Sequence, residues 1–200
     1  MRVIAGKFRS RLLKGLKGMQ LRPTSDRLRE TLFNVLADRV PGSRFVDLFA
    51  GTGAVGIEAL SRGANEAIFI ERHAPAAAVI RKNLESLEVK SGARVLSTDA
   101  LRGLALLERG LAQDPCIPTI VFLDPPYDKT EEYDRVLSFL GSAVLLDAQS
   151  LVIAEHRKTF DLPATIGNLQ RVRILKQGDG CLSFYRLVGN GPEERAAAPQ

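Results

Sequence analysis

The chain has 200 residues, of which 45% are apolar and 26% charged, with only two cysteines and a net charge of +5. That length suits one compact domain able to bury a proper core. The composition excludes a disordered or disulfide-built protein. No apolar run approaches the roughly 20 residues that a membrane helix needs, and residues 1–4 do not open a signal peptide. A cytoplasmic protein is expected, with Cys116 and Cys181, far apart and without a companion His, as buried thiols rather than a zinc site.

The charge is unevenly placed. Residues 1–30 hold nine Lys or Arg against Asp26 and Glu30, a balance of +7, and the remaining 170 residues balance to −2. A localised basic arm points to a polyanion, since neutralised phosphates release condensed counterions. Val3, Ile4, Phe8, Leu12, Leu13, Leu16 and Leu21 alternate with these charges, which predicts folded strands broken by Gly6, Gly15 and Gly18, a basic hairpin over residues 1–22. Residues 22–26 then stop the strand and offer caps for a helix whose apolar stripe is Leu28, Leu32, Phe33, Val35 and Leu36.

From residue 44 strands and helices alternate. Strands are predicted at 44–49, 67–70, 94–96, 119–123 and 151–154, with helices through about 61 and over 74–87, 100–112 and 131–141. Repeated βα units imply a mostly parallel, doubly wound sheet. The last two strand-like runs, 169–176 and 181–188, are joined by Gln177-Gly178-Asp179-Gly180. That link is too short for a helical crossover, so the pair is an antiparallel hairpin. The organisation expected is an N-terminal hairpin (1–22), an α/β domain (23–188) and a disordered tail (189–200).

Between the first strand and its helix stands Asp47-Leu48-Phe49-Ala50-Gly51-Thr52-Gly53-Ala54-Val55-Gly56. Its G-x-G-x-x-G spacing lets the backbone turn sharply and approach a ligand with no Cβ in the way. Glu71, twenty residues after Gly51, ends the next strand, where a carboxylate can accept from both hydroxyls of a ribose. A nicotinamide dinucleotide fits these features too. Asp47 turns the choice, because it suits the amino group of a methionine moiety and repels a pyrophosphate; the antiparallel hairpin is also foreign to a dinucleotide sheet. Asp99, beside Ala100, is placed to accept from the amino group of adenine, or simply to cap a helix. The cofactor expected is S-adenosylmethionine.

Asp124-Pro125-Pro126-Tyr127 follows the fourth strand, beyond the carboxyl edge where ligands of such sheets bind. Two prolines remove two N–H donors and leave a rigid corner that offers only acceptors. This suits an amino group on a base, whose lone pair is delocalised into the ring. Accepting its two N–H bonds with the Asp124 carboxylate and the Pro125 carbonyl favours a pyramidal nitrogen aimed at a methyl group. Tyr127 offers a face for stacking the base, worth about 1–3 kcal/mol.

With these motifs in view, the chain resembles the bacterial 16S ribosomal RNA guanine-N2 methyltransferase family from about Met1 to Val188. The likeness is carried by residues 2–6 with Arg9 and Arg11, by Leu21-Arg22-Pro23-Thr24-Ser25-Asp26-Arg27-Leu28-Arg29-Glu30-Thr31-Leu32-Phe33-Asn34, by 47–53, by Asn83-Leu84, by 124–127 and by the final hairpin. The resemblance implies a class I methyltransferase fold with a seven-stranded sheet, Thr24 and Arg27 near the cofactor or target base, and the hairpin on RNA. It also implies a flipped guanine as substrate and 16S rRNA in the small subunit, or its assembly intermediate, as partner. Neither metal nor membrane is expected, and the protein is expected to be a monomer.

The expected site therefore comprises Asp124, Pro125 and Tyr127 for catalysis. Thr24, Asp47, Gly51, Thr52, Gly53, Glu71, Asp99 and Ala100 are expected on the cofactor, and Arg2, Lys7, Arg9, Arg11, Arg22 and Arg27 on RNA. One departure from the family is Arg72-His73 after Glu71, where related enzymes often place an apolar residue against adenine. His73 reads as a surface residue at a helix start, and residues 155–158 as a solvated loop that carries His156. Three rivals stand beside this reading. They are an amino-methyltransferase acting on adenine-N6 or cytosine-N4, a nicotinamide-dependent oxidoreductase, and a non-enzymatic RNA-binding assembly factor.

Overall fold

A computed structural model describes residues 1–16, 26–111, 117–126 and 129–188. Its elements run α1 (Asp26–Val35), β1 (Arg44–Leu48), α2 (Ala54–Ser61), β2 (Glu66–Ile70), α3 (Ala74–Ser86), β3 (Ala93–Leu96), α4 (Ala100–Leu111), β4 (Thr119–Leu123), α5 (Glu131–Leu140), β5 (Leu151–Arg157), β6 (Thr165–Ile166), β7 (Leu169–Gln177) and β8 (Gly180–Leu187). The strands form one sheet in the order β3-β2-β1-β4-β5-β8-β7-β6. β1 to β5 are parallel, and β8, β7 and β6 close the far edge antiparallel. The expected sheet of seven strands thus gains an eighth, because Thr165 and Ile166 fold back on Gln170 and Leu169.

β1 and β4 are buried at every position, as strands covered on both faces must be. On one face Val46, Leu48, Val121 and Leu123 meet Leu104 and Leu107 of α4 and Val136, Leu137 and Leu140 of α5. On the other, Phe45 and Phe122 meet Leu28, Leu32 and Phe33 of α1 and Val55 and Ala59 of α2. This is the layered α/β solution to burying two faces of one sheet.

The N-terminal arm departs from the expected hairpin of strands. Residues 1–16 form a turn-rich loop with a single bridge, Arg2 to Leu12, closed by Val3 N–H to Arg11 O at 3.0 Å and Ser10 N–H to Val3 O at 2.9 Å. The arm's own Val3, Phe8 and Leu13 are buried with Ile57, Phe69, Ile80 and Leu84 of the sheet and its helices. Its alternation was therefore the pattern of a loop lying on a core. A second difference lies in β5, which continues three residues past the expected end. Glu155 and His156 are in-strand and only 4% and 1% exposed, and the His156 Nε2 lies 2.9 Å from the Ser183 hydroxyl of β8. The solvated loop expected there is replaced by paired sheet, because β8 supplies partners for every residue from Val152 to Arg157. Burial also holds the His156 imidazole below its ordinary pKa. Residues 17–22, Cys116 and the tail at 189–200 lie outside the described residues; Cys181 is buried, and burial pushes its thiol up. No helix among the described residues is long and apolar enough to cross a membrane.

Candidate active site

The candidate site lies at the carboxyl edge of β1, β2, β4 and β5. Leu48 of β1 pairs with Leu123 of β4 and with Ile70 of β2, and Leu123 pairs with Ala154 of β5. The residues next along each strand therefore come level with one another: Phe49 and the glycine loop, Glu71, Asp124-Pro125-Pro126, and Glu155, which is still within β5. Phe49 turns the chain with a φ of 61°, a left-handed conformation rare for a bulky side chain and a mark of functional turns. Ala50 N–H then bonds Ile70 O at 3.1 Å and Gly53 N–H bonds Ala50 O at 2.7 Å, closing the loop.

The glycines of the loop serve different ends. Gly51 has φ 55°, and a Cβ there meets nothing nearer than Phe49 O at 3.9 Å, so it borders open space. Gly56 is needed for packing, since a Cβ on it lies 2.4 Å from the Phe69 ring. The Glu71 carboxylate is held by backbone on both oxygens, from Gly51 N–H at 2.8 Å and His73 N–H at 2.7 Å. That grip aims the carboxylate at the loop, each oxygen keeping a second lone pair for a hydroxyl.

Asp47 lies beneath the loop. It is 2% exposed, and its Oδ2 accepts from Gly56 N–H at 2.9 Å. Burial first, and then the nearby Glu71 charge, push its pKa up to about 7 against the pull of the Gly56 hydrogen bond. A buried carboxylate this reluctant to ionise is one that a cation beside the loop stabilises. Asp99 is exposed and caps α4, accepting from Arg102 N–H at 3.0 Å. Ala100 begins that helix, buried.

Asp124 is half-buried, Pro125 buried and Pro126 exposed. The Pro126 carbonyl accepts from Lys129 N–H at 2.8 Å, which turns the chain toward α5. Tyr127 and Asp128 lie outside the described residues, as do Arg22 and Thr24. In α5, Tyr133 is buried and its hydroxyl donates to Glu155 O at 2.6 Å, fastening the helix to the neighbouring strand end.

The basic residues divide. Arg2, Arg9 and Arg27 share a cleft of about 400 Å³ between the arm and α1, with Asp26 and Glu30 also on its wall. Lys7 sits over the Phe8 ring at 5.4 Å, and Arg11 donates to Ser86 O of α3 at 2.6 Å. Three site features carried no role in the sequence analysis. Phe49 has no sequence signature for its positive φ. Asn83 entered only within the Asn83-Leu84 pair that carries the family likeness, with no role of its own, and the structure buries it in α3. Glu155 is brought beside Asp124 by strand register alone.

The glycine loop, the acid after β2, the proline corner after β4 and the antiparallel strands at the sheet's edge together define a class I methyltransferase fold. The chain belongs to the family described as conserved hypothetical protein 95, whose model matches residues 1–186. It is 41% identical over 190 residues to the ribosomal RNA small subunit methyltransferase D of Haemophilus influenzae, covering 94% of this chain and 93% of that one. The enzyme of the same name from Escherichia coli K12 is 33% identical over 193 residues, covering 96% and 93%. Among solved structures, a hypothetical protein of Thermus thermophilus superposes with a TM-score of 0.76 at 30% identity, covering 92% of this chain and 98% of that one.

Proposed function

We propose that this methyltransferase moves a methyl group from S-adenosylmethionine to the exocyclic N2 amine of a guanine in 16S rRNA of the small ribosomal subunit. The observation that carries this reading is the pairing of Leu48 with Leu123, which sets the glycine loop and the Asp124-Pro125 corner on adjacent strand ends. The small-subunit relatives support rRNA as the substrate class.

When bound, the cofactor would supply an electrophilic methyl group carried on a sulfonium. Open space at Gly51 and the buried Asp47 carboxylate fit such a group, with Thr52 and Gly53 of the same loop and Asp99-Ala100 toward adenine; Thr24 is assigned to the cofactor by the family resemblance alone. Glu71 holds the ribose hydroxyls. Asp47 acts from beneath the loop on the donor's ammonium. Asp124 and the Pro125 carbonyl accept the two N–H bonds of the amine and pyramidalise it, while Tyr127 stacks the flipped guanine. Holding the amine at this corner would supply the proximity advantage of an oriented pair, and its surplus proton would pass to Asp124 or water. Arg2, Lys7, Arg9, Arg11, Arg22 and Arg27 hold phosphates. The enzyme acts in the cytoplasm, as a monomer.

Mass spectrometry of 16S rRNA from cells lacking this protein tests the reading. One N2-methylguanine should disappear and return with the wild-type gene but not with Asp124→Ala. An unchanged set of N2-methylguanines overturns the assignment, and loss of an N6-methyladenine or N4-methylcytosine moves it to another amine.

A further inference from the structure

Asn83 is fully buried in α3, and its side-chain amide is spent on two different parts of the molecule. Its Oδ1 accepts from Lys14 N–H at 2.8 Å. Its Nδ2 donates to Lys14 O and to Thr52 O, both at 3.1 Å. Only this orientation of the amide satisfies the set, because Lys14 N–H needs an oxygen while the two carbonyls need N–H donors. One side chain thus pairs with the arm's backbone as a neighbouring strand would, and gives its other N–H to the glycine loop.

The arm's remaining polar anchors reach helices rather than the loop. The Glu58 carboxylate, fully buried, accepts from Ile4 N–H, Ala5 N–H and Arg62 Nε. The Ser61 hydroxyl accepts from Phe8 N–H at 2.9 Å and donates to Ala5 O. Among the described hydrogen bonds, Asn83 alone joins arm backbone and loop backbone through one group.

We infer that Asn83 is a positioning residue through which RNA held by the arm and the cofactor held by the glycine loop bind cooperatively; this rests on the function proposed above. Phosphates gripping the arm restrict Lys14, which fixes the Asn83 amide and with it the Thr52 carbonyl. Either ligand thus strengthens the Lys14–Asn83–Thr52 hydrogen bonds on which the other relies. By linkage each ligand tightens the other by the same factor.

The test is calorimetric titration of S-adenosylhomocysteine into the full-length protein, with and without small ribosomal subunits from cells lacking it. The ratio of the two affinities is the readout. In the wild type the subunits should tighten binding by about fivefold or more, the lower end of usual couplings. Asn83→Asp keeps an acceptor for Lys14 N–H but sets oxygen against both carbonyls, and its ratio should fall to near one. Lys14→Pro removes the donated N–H from the arm side and should do the same, whereas Lys14→Ala keeps the backbone pair and the ratio. A merely structural role weakens both affinities together and leaves the ratio untouched. If Asn83→Asp fails to fold, Lys14→Pro decides. A wild-type ratio of one, or a ratio that survives Lys14→Pro, overturns the inference. Failure of S-adenosylhomocysteine to bind the wild type at all brings down the underlying cofactor reading instead.

Discussion

Two carboxylates with opposite surroundings carry the proposed chemistry. Asp124 sits half-buried at an open strand end and faces the acceptor nitrogen in the proposed mechanism. Asp124→Ala should abolish methyl transfer yet change S-adenosylhomocysteine affinity by less than about threefold; equal loss of both shows that the carboxylate belongs to cofactor binding. Asp47 is sealed under the loop with a pKa of about 7. A cationic ammonium favours its ionised form, so cofactor affinity should rise from pH 5.5 and level off above about pH 7, by up to tenfold per unit on the rising limb. Titrations in Asp47→Asn should lose this limb. The fold responds in the opposite sense. The native Asp47 keeps its proton where the unfolded chain, with a pKa near 3.8, has lost it. Stability therefore falls as pH rises from about 4 through about 7. The Tm of the wild type should drop relative to Asp47→Asn over that window, and parallel curves would show the carboxylate to be ordinary.

At the scale of elements, the arm is held to α2 by geometry that one residue controls. Gly6 has φ 81°, and a Cβ there lies 1.8 Å from the Ser61 carbonyl oxygen, a backbone atom that cannot move aside. Gly6→Ala should therefore detach the arm, at a cost of about 2 kcal/mol or more. Limited proteolysis should then cut within residues 1–16, and Tm should fall. A protected arm in this variant means that the contacts of Val3, Phe8 and Leu13 suffice without the turn. The same fastening explains why the basic segment folded as a loop. Strands need partners for their N–H and C=O groups, and here Glu58, Ser61 and Asn83 supply side chains in that place.

Over the whole molecule, the basic arm and the glycine loop are joined through Asn83, which bonds both Lys14 and Thr52. Arg9 lines the arm's cleft, and Arg9→Gln should lower the slope of log affinity for rRNA against log salt by about one. Arg11→Gln should cost more than its one charge, because Arg11 also ties the arm to Ser86. Filter binding across salt concentrations separates the two, and identical slopes and offsets would mean that the tie contributes nothing.

The sequence alone determined the βα order, the glycine loop with its acid twenty residues on, the proline corner and the antiparallel hairpin. Each is local: a period of apolar residues, a spacing, or a turn too short for a helix. The relations among distant residues came only with folding. Glu155 and His156 looked like a charged loop because β8, which buries them, lies some twenty-five residues further on. Thr165 and Ile166, too short a run to read as a strand, gained theirs by pairing with Gln170 and Leu169. Asn83 was one polar residue on a helix until folding laid Lys14 and Thr52 against it. Spacing along the chain shows which groups can turn or cap, but burial and cross-strand register arise only once the sheet has closed around them.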